Sequence, residues 1–226
     1  MPVDALVADR ALLGRVSTAE RVAEILRTRI SAGYFAPGAR LAEEEITEAL
    51  GVSRNTLREA FRLLTHERLL VHRLNRGMFV RVLDLGDVID LYRMRRLLEC
   101  SVIRSVTAPP ANLDSIAEAV NEGRLALEAH DWQALGTANI RFHQQIVAIA
   151  ASPRADELMR GLLAELRLVF HVMASPRTFH EPYLVRNEEI LAALREGDGA
   201  RGEQLLATYL EEAEQQLTSA YRPTQA

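Results

Sequence analysis

The sequence predicts a mainly α protein in two parts, an N-terminal helix-turn-helix closed by a small β-hairpin at residues 15–82 and a C-terminal antiparallel α-helical bundle at residues 83–221. Three observations carry this reading. Residues 18–67 hold helical apolar stripes separated by glycine turns, and residues 69–82 hold two short strand-like runs. From Asp84 onward the strand signals vanish and apolar positions recur at helical spacing alone.

The first helix is expected from Thr18 to Ser31, with Val22, Ile25, Leu26 and Ile30 as its apolar stripe. Ser17 followed by Glu20 is a capping-box pattern, and Gly33 supplies a stop. Pro37-Gly38 marks a turn. A short helix from Glu43 to Leu50 packs through Ile46 and Leu50 and ends at Gly51. Ser53 then caps a third helix to about Glu67, with Leu57, Ala60, Phe61 and Leu64 facing inward. Helix, tight glycine turn, helix is the pattern whose second helix enters a DNA major groove. Leu69–Val71 and Met78–Val82 follow as strands joined through Arg73, Asn75, Arg76 and Gly77, a hairpin placed to act as a wing beside phosphates or a minor groove.

Charge sharpens the division. The whole chain of 226 residues carries a net of -4 and contains no lysine, whereas residues 53–82 hold seven arginines against Glu59 and Glu67. A local positive face attracts nucleic acid even on an acidic protein. Arg54 and Arg58 are the candidates for base or close phosphate contact, Asn55 and Thr56 for a base edge or backbone oxygen, and Arg73, Asn75, Arg76 and Gly77 for the wing.

Helices are expected near Asp84–Val106, Leu113–Ala129, Trp132–Ile149, Arg154–Met173, Glu181–Arg195 and Gly199–Thr218, punctuated by Pro109-Pro110, Asp131, Ser152-Pro153, Ser175-Pro176 and Gly197-Asp198-Gly199. Short connections between amphipathic helices point to an antiparallel bundle. No dinucleotide fingerprint, phosphate-cradling glycine loop, HExxH motif or paired CxxC cluster occurs. Cys100, the sole cysteine, excludes an intramolecular disulfide and reads as a small buried hydrophobe. With no secretory signal pattern and no apolar run of about 18 residues, a cytoplasmic protein is expected.

Residues 18–82 resemble the GntR family of bacterial transcriptional regulators. Pro37-Gly38, Leu41, Glu43 and Ile46 resemble its first block, Gly51 to Ala60 its helix-turn-helix core, and Gly77-Met78-Phe79-Val80 the end of its wing. Glu44 departs from the pattern, standing where many relatives carry an arginine that approaches DNA. The C-terminal part resembles the all-helical FCD ligand-sensing domain of the fatty-acid-regulator branch, through Tyr92 to Glu99, Phe142-His143 with Ala150 to Pro153, and, more weakly, Ile190 to Leu194, Gly197-Asp198 and Leu210. The resemblance implies a homodimer on a palindromic operator, with an affinity set by a small acidic or lipid-derived effector.

Many FCD relatives hold a divalent metal through an aspartate and three histidines, and the matching positions here are Asn139, His143, Asn187 and Tyr209. Only His143 is a strong ligand, so no metal or other cofactor is expected, and the four residues are read as a polar effector pocket. A weak site built on Asn139 and His143 with ligand oxygens is the alternative. Arg95 resembles the arginine that meets an acidic effector in that family, but Glu99 four residues later can instead take it in an internal ion pair. Arg141 and Arg167 are further candidates, with solvent exposure the competing reading. Phe142, Phe170 and Tyr183 are read as packing residues. Competing functions are an effector-independent architectural DNA-binding protein and an enzyme with a DNA-targeting module; the second lacks any nucleophile-base-orienter arrangement.

Overall fold

The computed structural model describes residues 17–170 and 176–220, and the chain divides into two compact units after Arg81. In the first unit α1 (Thr18–Ser31) opens on a complete capping box, in which the Ser17 hydroxyl accepts the Glu20 amide at 3.1 Å and the Glu20 carboxylate accepts the Ser17 amide at 2.6 Å. After β1 (Arg40–Leu41) come α2 (Glu43–Leu50) and α3 (Arg54–His66). The α1 stripe of Val22, Ala23, Leu26 and Ile30 packs on α3, which buries Leu57, Ala60, Phe61 and Leu64. Each fully buried Leu, Ile or Phe contributes about 1.5–3 kcal/mol relative to exposure, so these facing stripes hold the unit together. Arg27 adds a fork from α1, donating through Nε and Nη2 to the two Glu67 carboxylate oxygens at 2.7 and 2.6 Å.

The turn from α2 to α3 needs a left-handed residue, and Gly51 supplies it with φ 63°. The Val52 amide then reaches back to the Thr47 carbonyl at 3.2 Å, and Ser53 caps α3 by accepting the Thr56 amide at 3.1 Å. Ile46 is buried as expected of α2, whereas Leu50 is only half-buried. The hairpin strands are β2 (Leu70–Arg73) and β3 (Gly77–Val80), shifted from the expected runs because Leu69 lies before the ladder and Arg81 and Val82 lie beyond it. Arg73 pairs with Gly77 across a three-residue loop in which Asn75 adopts φ 59°. No sequence pattern predicts β1, which adds a third antiparallel strand in the order β1-β3-β2. Two residues cannot show a period of two, so no alternation announced it.

The second unit is wholly helical. Asp84 and Asp87 form a capping box at the start of α4 (Leu85–Arg95), which runs through a π turn (Arg96–Cys100) into α5 (Ser101–Arg104). The sequence predicted one plain helix here; the wider turn is invisible to apolar periodicity. The remaining helices are α6 (Leu113–Glu128), α7 (Trp132–Ala148), α8 (Pro153–Phe170), α9 (Pro176–Arg195) and α10 (Gly199–Ala220). The expected extension of α8 to Met173 lies outside the described residues. The start of α9 corrects the expected one at Glu181, because Pro182 falls inside the helix and not in its first turn, where proline is best tolerated.

In the bundle α6 packs on α7 and α9 on α10, α9 lies against both α6 and α7, and α10 lines α4, the π turn and α5. The turn into α10 is close enough to require glycine: a Cβ on Gly199 would stand 2.4 Å from the Val106 carbonyl oxygen. Phe142, Phe170 and Tyr183 are buried among these helices. Cys100 is half-buried rather than buried, and desolvation pushes its thiol up to about 11. Among the described residues no helix is long and apolar enough to cross a membrane.

Candidate functional site

Two places in the chain gather polar side chains. The first is the exposed end of α3. Arg54, Asn55 and Arg58 are exposed there, while Thr56 is half-buried and its hydroxyl lies 2.8 Å from that of Ser53, so part of its hydrogen-bonding capacity goes to the cap. The wing residues Arg73, Asn75 and Arg76 are exposed and Gly77 half-buried, and Arg73 rests its guanidinium 4.6 Å above the Phe79 ring. A cleft of about 430 Å³ runs between these elements, lined by Arg40, Glu43, Glu44, Arg54, Arg58 and Gly77 among others. The third strand thus carries Arg40 to the wing, a cation that the sequence reading did not assign to this face.

Both leading arginines are tied to α2. Arg54 Nη2 donates to Glu44 Oε1 at 3.3 Å, and Arg58 Nε to Glu43 Oε2 at 3.1 Å. Exposed ion pairs of this kind are worth about 0–1 kcal/mol, so a phosphate approaching α3 can displace them, but the carboxylates stay beside this face and would repel phosphates. Replacing Glu44 with glutamine is therefore expected to tighten binding to random-sequence duplex DNA and to steepen the salt dependence by about 0.9 in the log-log slope, as one more cation becomes free to meet phosphate. Fluorescence titrations from low to moderate salt test this; an unchanged slope would remove Glu44 from the interface.

The second place is a buried polar cluster inside the bundle. Arg95 on α4, Glu99 in the π turn, His143 on α7, Asn187 on α9 and Tyr209 on α10 are each at most 3% exposed. Arg95 Nε donates to Glu99 Oε1 at 2.7 Å, and Glu99 Oε2 lies 2.6 Å from His143 Nδ1. The His143 ring meets Tyr209 edge-on, with centroids 4.9 Å apart. The Tyr209 hydroxyl lies 3.0 Å from Asn139 Nδ2 and 3.1 Å from Asn139 Oδ1, and Asn187 Nδ2 donates to Asn139 Oδ1 at 2.8 Å. All five sequence-level candidates, Arg95, Asn139, His143, Asn187 and Tyr209, thus come together. Glu99, weighed in the sequence only as a rival partner for Arg95, stands at the centre of the cluster, carried by the π turn.

Charges within the cluster follow from its burial. Desolvation acts to raise the Glu99 carboxyl, but Arg95 and His143 outweigh it and hold the group below the usual carboxylate range. Desolvation lowers the His143 imidazole, with Glu99 opposing and Arg95 assisting. An ionised Glu99 against a neutral His143 requires the proton on Nδ1, which leaves Nε2 as a bare acceptor. Three buried atoms in this cluster have no partner: Arg95 Nη2, His143 Nε2 and Asn187 Oδ1. Orphaned buried polar atoms are rare in folded proteins.

The donor set does not suit the divalent metal implied by the family resemblance. His143 Nε2 is available, but Asn139 and Asn187 offer neutral amide oxygens, and burial pushes the Tyr209 hydroxyl well above its usual range, so it stays neutral. Among the described residues no group of three His, Cys, Asp or Glu side chains is placed to hold an ion. Elemental analysis of purified protein is expected to find less than one tightly bound transition metal per chain; a stoichiometric ion retained through chelator treatment and lost in His143→Ala would contradict this.

The remaining candidates lie elsewhere. Arg141 is held in ion pairs with Glu118 and Glu122, the former at 2.9 Å. Arg167 is buried rather than exposed, and its Nη2 donates to the Thr137 hydroxyl at 2.8 Å.

Comparison with known proteins matches residues 18–80 to the gntR family of bacterial regulatory proteins and residues 90–212 to the FCD domain. A crystal structure of a GntR regulator from Rhodococcus sp. RHA1 is 48% identical, with a TM-score of 0.88 over 92% of this chain and 100% of that one. The HTH-type transcriptional repressor RspR of Escherichia coli K12 is 26% identical over 85% of this chain and 86% of its own. The galactonate operon transcriptional repressor of the same organism is also 26% identical, over 88% of this chain and 96% of its own.

Proposed function

We propose that this chain, which belongs to the GntR family of bacterial regulatory proteins and carries an FCD domain, is a homodimeric operator-binding regulator whose DNA affinity is set by a small molecule held in its C-terminal bundle. The observation that carries the sensing half is the set of three buried, unpartnered atoms, Arg95 Nη2, His143 Nε2 and Asn187 Oδ1. A bundle serving only as a dimerisation block gains nothing from them, since each costs about 1–3 kcal/mol left unsatisfied. The DNA half rests on Arg54, Asn55, Thr56 and Arg58 on α3, with Arg73, Asn75, Arg76 and Gly77 on the wing.

A single winged unit covers a small area, so two copies related by a two-fold axis would read half-sites one helical turn apart. The wholly helical second unit supports the fatty-acid-regulator branch of the family, whose effectors are small acids or lipid-derived molecules. Such a regulator works in the cytoplasm, and the repressor names of the two E. coli relatives support repression here. The effector shifts the balance between two domain arrangements, and each 1.4 kcal/mol of coupling changes the operator binding constant by about tenfold.

Native mass spectrometry of the purified dimer, followed by identification of any released small molecule, tests the sensing half. The expected result is one non-covalent ligand per chain whose retention is lost in Arg95→Ala. Equal retention by wild type and Arg95→Ala would remove the cluster from the site.

A further inference from the structure

We propose that Arg40 is the phosphate anchor of the N-terminal unit and holds the strand of DNA backbone that passes over the cleft between α3 and the wing. The inference rests on the reading of this unit as operator-binding, and it assigns a residue outside both α3 and the hairpin. Strand β1 places that residue. Arg40 pairs with Phe79, and Arg73 with Gly77 two positions earlier on β3, so Arg40, Arg73 and Phe79 share one face of the sheet. The two arginine side chains cross over β3 on that face. Arg73 lies 4.6 Å above the Phe79 ring, whereas a Cβ built on Gly77 would stand 3.6 Å from Arg40 Nε and 3.9 Å from Arg40 Nη2. Gly77, with φ 97°, thus offers the bare backbone over which the Arg40 guanidinium lies.

The charge of Arg40 is also the one left over. The cleft of about 430 Å³ is lined by three arginines, Arg40, Arg54 and Arg58, together with Glu43, Glu44 and Glu45. Arg54 is paired with Glu44 and Arg58 with Glu43, while Arg40 is exposed and, among the described residues, has no ion pair. A phosphate that meets Arg40 displaces no internal contact, whereas one that meets Arg54 or Arg58 must first take the place of a carboxylate.

Position decides what Arg40 meets. With α3 in a major groove and the wing beside the adjoining minor groove, one sugar–phosphate strand must run between them, because that strand is the wall the two grooves share. The cleft separates α3 from the wing, so the cation facing it meets phosphate oxygens and no base edge. A phosphate contact sets affinity and salt dependence without carrying sequence information. Arg40 therefore supplies attraction to any duplex, and Arg54 and Arg58 supply discrimination.

Fluorescence titrations of the full-length protein on two duplexes of equal length, one A·T-rich and one G·C-rich, over a range of salt concentrations test the assignment. Arg40→Ala and Arg40→Gln are expected to weaken binding to both duplexes by the same factor, about three- to tenfold at low salt, and to make the log-log salt slope shallower by about 0.9 for each chain on the duplex. Arg40→Lys should keep the wild-type slope, because a point charge serves a phosphate. Arg160→Ala, which removes an exposed charge from α8 in the second unit, should match wild type in affinity and slope.

A wild-type slope in both Arg40→Ala and Arg40→Gln would overturn the proposal. A loss confined to one duplex would make Arg40 a base contact and overturn it as well. The same would follow if Arg40→Lys were as shallow as Arg40→Ala, or if Arg160→Ala reproduced the loss and so traced it to net charge. Wild type that binds neither duplex would overturn the operator-binding reading beneath it. Arg40→Gln keeps an exposed polar side chain where backbone atoms make the ladder bonds, so a folding defect in Arg40→Ala leaves the test decisive.

Discussion

Replacing Arg54 and Arg58 together with alanine will abolish specific operator binding while leaving the helical content of the protein nearly unchanged. Both side chains project from the exposed end of α3, more than half of each is exposed, and neither takes part in the α1–α3 core. Each good bidentate arginine contact to guanine gives about 1–3 kcal/mol of discrimination, so losing two should weaken operator binding at least about thirtyfold. The loss should be smaller on random duplex, where phosphate attraction from Arg40, Arg73 and Arg76 remains. Circular dichroism alongside titrations on operator and random DNA checks the outcome; operator affinity at the wild-type level in the folded double variant would remove α3 from base reading.

Glu99→Ala will cost the second unit about 3–5 kcal/mol, since it strands Arg95 as an unpaired charge at 2% exposure. The double variant Arg95→Met with Glu99→Leu should lose far less, because removing both charges also removes the desolvation that each demands. Chemical denaturation at pH 7.5 compares them. The pH dependence has a definite sign. Glu99 is held low in the fold, so its contribution is present above the ordinary carboxylate range and is lost as pH falls through the lowered folded value. His143 is also held low, so the unfolded chain takes its proton first and stability begins to fall below about pH 6.5. Wild type should lose stability on acidification from that point, and Glu99→Ala should show a shallower acid limb.

Local signals in the chain were strong wherever one residue type has one structural use. Ser17 with Glu20, Gly51, and Ser53 before Arg54 each fixed a helix end, because caps and left-handed turns admit few residue types. The charge of the exposed α3 face was equally plain in Arg54 and Arg58. Their tethers were not, because Glu43 and Glu44 lie 15 and 10 residues away in sequence and meet the arginines only once the α2–α3 turn is closed. Strand β1 escaped notice because its order comes from β3 and not from its own two residues.

In the bundle, the family resemblance pointed to Asn139, His143, Asn187 and Tyr209, which periodicity would have left as scattered polar positions. Glu99 could not be placed from spacing alone. An i, i+4 pair with Arg95 reads as an ordinary surface ion pair, and only burial, the π turn and the approach of His143 from α7 turn it into the centre of a closed cluster.

In the proposed regulation, DNA affinity depends on what occupies this cluster. Operator titration of wild type and Asn187→Leu, each with and without a saturating concentration of the ligand identified by mass spectrometry, tests it most directly. Saturating ligand should change the operator affinity of wild type at least about tenfold and leave that of the variant unchanged. The same operator affinity with and without ligand in wild type, at proven saturation, would contradict it.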